Sequence, residues 1–173
     1  MTQLLLIGDS LVADYDWQKR MPTYTVHNHG APGFTTTDVF NTLPEIKKQV
    51  KSVDVVMVMV GTNDLLTDNF DFLHTLKKII VQLNSGYPLA EIILCSLFPM
   101  DMPHLPHNTI SSLNSHIEAL TMQTGSCFLD THQRMIGATQ KIFQDDGVHL
   151  TADAYEIWCR SLLEHIAFLI ESD

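Results

Sequence analysis

Two hydrophobic rhythms alternate along this chain. Short apolar runs of strand length occupy residues 4–7 ("LLLI"), 53–60 ("VDVVMVMV"), 92–97 ("IILCSL") and 127–129 ("CFL"). A weaker run at 24–27 precedes "NHGAPG". The run at 53–60 is continuous rather than alternating, which suits a parallel strand covered on both faces. Between the runs the period lengthens to that of a helix. Phe72, Leu76, Ile79 and Leu83 recur in this way, as do Ile110, Leu113, Ile117 and Leu120, and near the end Tyr155, Trp158, Leu162, Ile166 and Leu169. Thr151 is placed to cap the last of these helices, and Asp153 lies favourably against its dipole. The segment "TTTDVFNTLPEIKKQV" is helical in pattern, with Pro44 expected to kink it or divide it in two.

Strands alternating with helices predict an α/β fold with a parallel sheet, right-handed crossovers and helices on both faces. Five strands suggest a flavodoxin-like three-layer α/β/α sandwich with strand order 2-1-3-4-5. At 173 residues, with no repeat or Gly/Ser-rich linker, the whole chain 1–173 is expected to be a single domain. Ligands of such sheets bind beyond the carboxyl ends of the strands. The polar clusters fall in those places: Asp9-Ser10, "NHGAPGF", "GTND", the Met- and Pro-rich stretch at 98–108, and "QDDGVHL". Five loops therefore converge on one rim.

The first run ends abruptly in Gly8, Asp9 and Ser10. These residues serve a plain turn, and they also suit the presentation of one hydroxyl at the end of a buried strand. An attacking serine needs a base, a group that orients the base, and donors for the oxyanion that forms. Asp146 and His149 lie three apart with a glycine between them, a spacing that lets the carboxylate hold one imidazole nitrogen while the other faces the serine. The backbone amides of Ser10 and Gly33 and the side-chain amide of Asn63 are suitable donors. Asn63 also suits a helix cap or a turn.

With these residues in view, the sequence resembles the SGNH hydrolases, also called GDSL esterases and lipases. The first block of that family is matched by Gly8-Asp9-Ser10-Leu11, and the second by Asn28, Gly33 and Thr35. Gly61-Thr62-Asn63-Asp64 matches the third block and Asp146-Gly147-Val148-His149 the last, all in family order. The resemblance implies Ser10 as nucleophile, His149 as base and Asp146 as its orienter. It implies Ser10 N–H, Gly33 N–H and Asn63 as the oxyanion hole, and a carboxylic ester as substrate, with small acyl or O-acetyl groups favoured. Gly30 competes with Gly33 and Asp145 with Asp146, but only Gly33 and Asp146 have the family spacing. Leu150 stands where many members carry proline. Lysophospholipase or thioesterase activity on longer acyl chains is the alternative within the family. A non-catalytic binding module is the alternative outside it.

Composition narrows the remaining choices. A formal net charge of −10 argues against nucleic acid or anionic lipid as a main partner, while the family resemblance implies a small-molecule ester as substrate. No apolar stretch approaches the ~20 residues of a membrane span, so stable membrane insertion is not expected. Three scattered cysteines and an amino terminus without a basic leader point to the cytoplasm. Nine histidines invite a metal, yet none of their spacings is that of a zinc site, so neither metal nor organic cofactor is expected and exposed loop histidines are the plainer account. Met100 and Met102 suit either an adaptable acyl pocket or packing beneath their loop. Asp14, Tyr15 and Trp17 either border the cleft or pack at the surface. Oligomeric state is not legible in these residues.

Overall fold

The computed structural model describes residues 1–171. Strands β1 (Gln3–Gly8), β2 (Thr25–Gly30), β3 (Val55–Met59), β4 (Glu91–Cys95) and β5 (Cys127–Leu129) form one sheet. All pairs are parallel and the order is β2-β1-β3-β4-β5, as the alternation of elements predicts. Successive side chains of a strand point to opposite faces, so each strand feeds two cores. Leu5 and Ile7 of β1 join Val56 and Val58 of β3 on one face, under helices α3 (Thr36–Gln49), α5 (Phe72–Gly86) and α6 (Thr109–Thr124). Leu4 and Leu6 join Met57 and Met59 on the other, under α8 (Ala152–Glu171) with the short helices α1 (Ser10–Ala13), α2 (Trp17–Arg20) and α7 (Thr131–Ile136). The result is the three-layer α/β/α sandwich.

Pro44 does not divide its segment: α3 runs unbroken from Thr36 to Gln49. A capping box secures its start, with the Thr35 hydroxyl accepting from the Asp38 N–H and the Asp38 carboxylate accepting from the Thr35 N–H. Val39, Leu43 and Ile46 are buried along one face. At ~1.5–3 kcal/mol each, their burial outweighs the ~3 kcal/mol an interior proline costs. Tertiary packing thus overrides the local penalty.

The last helix begins where expected, with the Ala154 N–H donating to the Thr151 hydroxyl at 3.2 Å. Between β5 and α8 the chain makes α7 and then a tight excursion closed by an antiparallel bridge between Phe143 and Leu150. The Gln144 N–H donates to the His149 carbonyl at 2.8 Å, and the Gln144 side-chain amide donates to the Leu150 carbonyl at 2.8 Å. This excursion carries residues 145–149 back to the sheet's carboxyl edge. Among the described residues, no helix is long and apolar enough to cross a membrane.

Candidate active site

Steric necessity explains why the first apolar run stops at glycine. A Cβ on Gly8 would lie 2.0 Å from the Met59 carbonyl oxygen and 2.5 Å from Val12 Cγ2. No other residue fits where β1 passes β3 and turns at once into α1. Asp9 caps α1, its Oδ1 accepting from the Leu11 N–H at 2.9 Å, and Ser10 is the first helical residue. The hydroxyl is thereby set at the end of a buried strand by a strand, a glycine and a cap.

Across the rim, His149 Nε2 lies 3.5 Å from Ser10 Oγ, although 139 positions separate the two residues. The other ring nitrogen, Nδ1, lies 2.5 Å from Asp146 Oδ2. Asp146 Oδ1 accepts from the Val148 and His149 N–H groups, each at 2.9 Å. These backbone donors and the imidazole hold the Asp146 carboxyl down to about 2, the Val148 N–H contributing most. Asp146 is therefore a carboxylate at any ordinary pH and is fixed relative to the ring. Asp145, its neighbour, instead pairs with Lys141 at 2.7 Å.

The second and third loops meet at a hydrogen bond between Asn63 and Phe34. Gly33 has φ +77°, a left-handed conformation that costs ordinary residues roughly 1–2 kcal/mol, and open space where a Cβ would lie. Asn63 follows Gly61 in the short helix α4 (Thr62–Leu66), and its amide donates to the Phe34 carbonyl at 2.9 Å. An amide has two hydrogens, so one ties Asn63 to the loop of Gly33 and the other remains to be given. Asp64 strengthens the same junction from within. It is fully buried and accepts from the Thr36 N–H and hydroxyl, both at 2.9 Å, and from the Asn69 amide at 3.0 Å. Gly30 serves another purpose: a Cβ there would lie 2.4 Å from the Ala13 backbone nitrogen, so it admits α1 against β2.

Other residues take places that the sequence left open. Met100 and Met102 are buried, at 6% and 8% exposure, in the core under α3, α5 and α6. Trp17 is core, whereas Tyr15 stacks on Tyr155 with ring centroids 4.6 Å apart. Asp14 borders the cleft, with Oδ2 3.9 Å from His149 Nε2. The sequence offered no signal that separated Asp14 from an ordinary surface carboxylate. The Phe34 carbonyl, being backbone, offered none at all.

The histidines differ in part from loop residues. His27 and His29 lie in β2, partly buried, and His27 Nε2 is 2.9 Å from Gln3 Oε1. Burial, with the neighbouring His27, pushes His29 below the usual range. His104, on its loop, lies 3.7 Å from Asp68. Among the described residues no three His, Cys, Asp or Glu side chains gather as a metal ion would require.

The chain is similar to several known proteins. Platelet-activating factor acetylhydrolase IB subunit alpha2 of Homo sapiens is 27% identical over 177 residues, covering 97% of this chain and 77% of that protein. A lipase/acylhydrolase from Enterococcus faecalis superposes with a TM-score of 0.80 at 23% identity, over 96% of this chain and 95% of that one. A carbohydrate acetylesterase from Sinorhizobium meliloti gives a TM-score of 0.80 at 18% identity, over 98% and 100%. The latter two likenesses speak for the fold. The family model for GDSL-like lipases and acylhydrolases matches residues 6–157, from the strand before Ser10 to the helix after His149. The chain therefore belongs to the GDSL-like lipase/acylhydrolase family and is a hydrolase of that family.

Proposed function

We propose that the protein hydrolyses carboxylic esters of small acyl groups through an acyl-enzyme. Ser10 is the nucleophile, His149 the base and then the acid, and Asp146 the orienting carboxylate. One observation carries this reading: a single imidazole has a carboxylate 2.5 Å from Nδ1 and a hydroxyl 3.5 Å from Nε2. The longer distance is of the kind that tightens once substrate is bound.

Ser10 Oγ attacks the ester carbonyl carbon and its proton passes to Nε2. The oxyanion accepts from the Ser10 N–H, the Gly33 N–H and the free hydrogen of the Asn63 amide. Collapse of the intermediate breaks the bond to the alcohol oxygen, which leaves with the proton from Nε2. Water then attacks the acyl group, gives its proton to His149, and Ser10 recovers a proton as the carboxylic acid departs. Every step uses protein groups and water.

The small acyl group is supported by an open site, with the His149 and Asp146 side chains 40% and 49% exposed. The methionines after β4 are buried in the core under α3, α5 and α6 and line only a small cavity with Leu105 and Ile110. The 27%-identical relative is by name an acetylhydrolase, which points the same way. Three free thiols, two of them buried, fit the reducing cytoplasm, and a net charge of −10 fits a neutral or cationic small molecule better than a polyanion.

A panel of p-nitrophenyl esters tests the reading. Acetate is expected to turn over fastest, and activity rising steadily with chain length overturns the small-acyl assignment. Ser10→Ala is expected to remove both turnover and covalent labelling by a fluorophosphonate. Label appearing on a different serine overturns the nucleophile.

A further inference from the structure

Asp9, immediately before Ser10, has a role that capping alone does not explain. It is fully buried. Its Oδ1 accepts from the Leu11 N–H, but Oδ2, equally shielded from water, has no hydrogen-bond partner among the described residues. An ionised carboxylate with one oxygen buried and unsolvated is costly. Asp64, the other buried carboxyl of the rim, differs in having three donors at its oxygens. Burial raises Asp64 as well, but donors at both of its oxygens partly offset that, whereas one oxygen of Asp9 has none.

The groups that bear on Asp9 sharpen the contrast. Asp64 faces it from α4 and repels its charge, while His149, from the excursion before α8, favours that charge weakly. Tyr155 of α8 gives its hydroxyl to the Leu11 carbonyl at 2.8 Å. Among the described residues no lysine or arginine pairs with Asp9. Burial, partly offset by the Leu11 N–H, pushes Asp9 up to about 7.

We propose that Asp9 works as a neutral carboxylic acid, a positioning residue that caps α1 without charge, and that losing its proton weakens the site's hold on the oxyanion. This rests on the reading of Ser10 as nucleophile and oxyanion donor. Asp9 is bonded to the amide next to that of Ser10. Once ionised, it sets a full negative charge, in a low dielectric, one peptide away from the Ser10 amide that must favour a second negative charge. Its attraction to the His149 imidazolium runs the other way; under the proposal the effect on the oxyanion is the larger.

The test is the pH dependence of kcat and kcat/KM for a short p-nitrophenyl ester, corrected for spontaneous hydrolysis, with native protein, Asp9→Asn and Ser10→Ala. Native kcat is expected to fall roughly tenfold from about pH 6 to about pH 9, while Asp9→Asn, permanently neutral, stays flat above neutrality. Identical profiles for the two proteins overturn the proposal. Should Asp9→Asn not fold, the carboxyl carbon of Asp9, followed by NMR in the native protein, decides. A midpoint close to that of the fall in rate supports the proposal, and one in the ordinary aspartate range, or a rate that does not fall, overturns it. Turnover surviving in Ser10→Ala refutes the underlying mechanism instead, so the two failures are distinct.

Discussion

The Asn63 side-chain amide donates to the Phe34 carbonyl across 2.9 Å, joining the loop after β3 to the loop after β2. This bond sets the distance between two of the three groups proposed to hold the oxyanion. It also leaves the amide one hydrogen aimed elsewhere. Asn63→Ala is expected to lower kcat by roughly 10²–10³-fold with little change in KM, because the donor acts on the transition state more than on the substrate. Asn63→Asp is expected to do worse, since a carboxylate donates nothing and repels the oxyanion. Steady-state kinetics on p-nitrophenyl acetate measure both.

Asp146 is the next case. Held down to about 2 by two backbone N–H groups and the imidazole, it stays ionised through the assay range. Asp146→Asn keeps the shape but offers an amide where Nδ1–H needs an acceptor. A loss in kcat of roughly 10³–10⁴-fold is expected, the scale seen when a triad histidine is left in the wrong tautomer. Far-ultraviolet circular dichroism unchanged from native shows that the loss is local.

The two glycines of the rim are predicted to fail differently. Gly8→Ala forces a methyl to within 2.0 Å of a backbone carbonyl in the middle of the sheet, which nothing flexible relieves. A loss of stability of at least about 3 kcal/mol is expected. Gly33→Ala meets no atom within 4 Å and suffers only from φ +77°, so about 1–2 kcal/mol is expected. Urea titrations of the two variants give the comparison, and a milder effect at Gly8 than at Gly33 contradicts the packing described.

Asp9 has a consequence for stability as well as for rate. Burial lifts it to about 7 in the folded protein, above the ordinary aspartate value of about 3.9, so the folded protein binds the proton more tightly than the unfolded chain does. The stabilisation is full below about pH 4 and is lost as pH rises through about 7, a span worth roughly 4 kcal/mol. Urea unfolding at a series of pH values is expected to show native stability declining across that window, and Asp9→Asn removing the decline. A native curve flat from about pH 4 to 8 contradicts the burial argument.

The order of elements and the rim were legible because both depend on neighbours in sequence. A period of two or of 3.6 residues is local, and alternating strands and helices dictate a parallel sheet whose carboxyl ends share one edge. That puts Ser10, Gly33, Asn63, Asp146 and His149 on one rim from the order of elements alone. Tertiary structure decided the rest, because the decisive partners are distant in sequence. Pro44 lies within one helix because of what α3 buries. Met100 and Met102 are buried because the fold brings their loop against residues of α5 and α6 that are distant in sequence. Asp14 comes within 3.9 Å of His149 because α1 and the loop before α8 converge. Whether Asp9 carries a charge depends on which donors reach Oδ2 in the folded interior, and periodicity has no bearing on that.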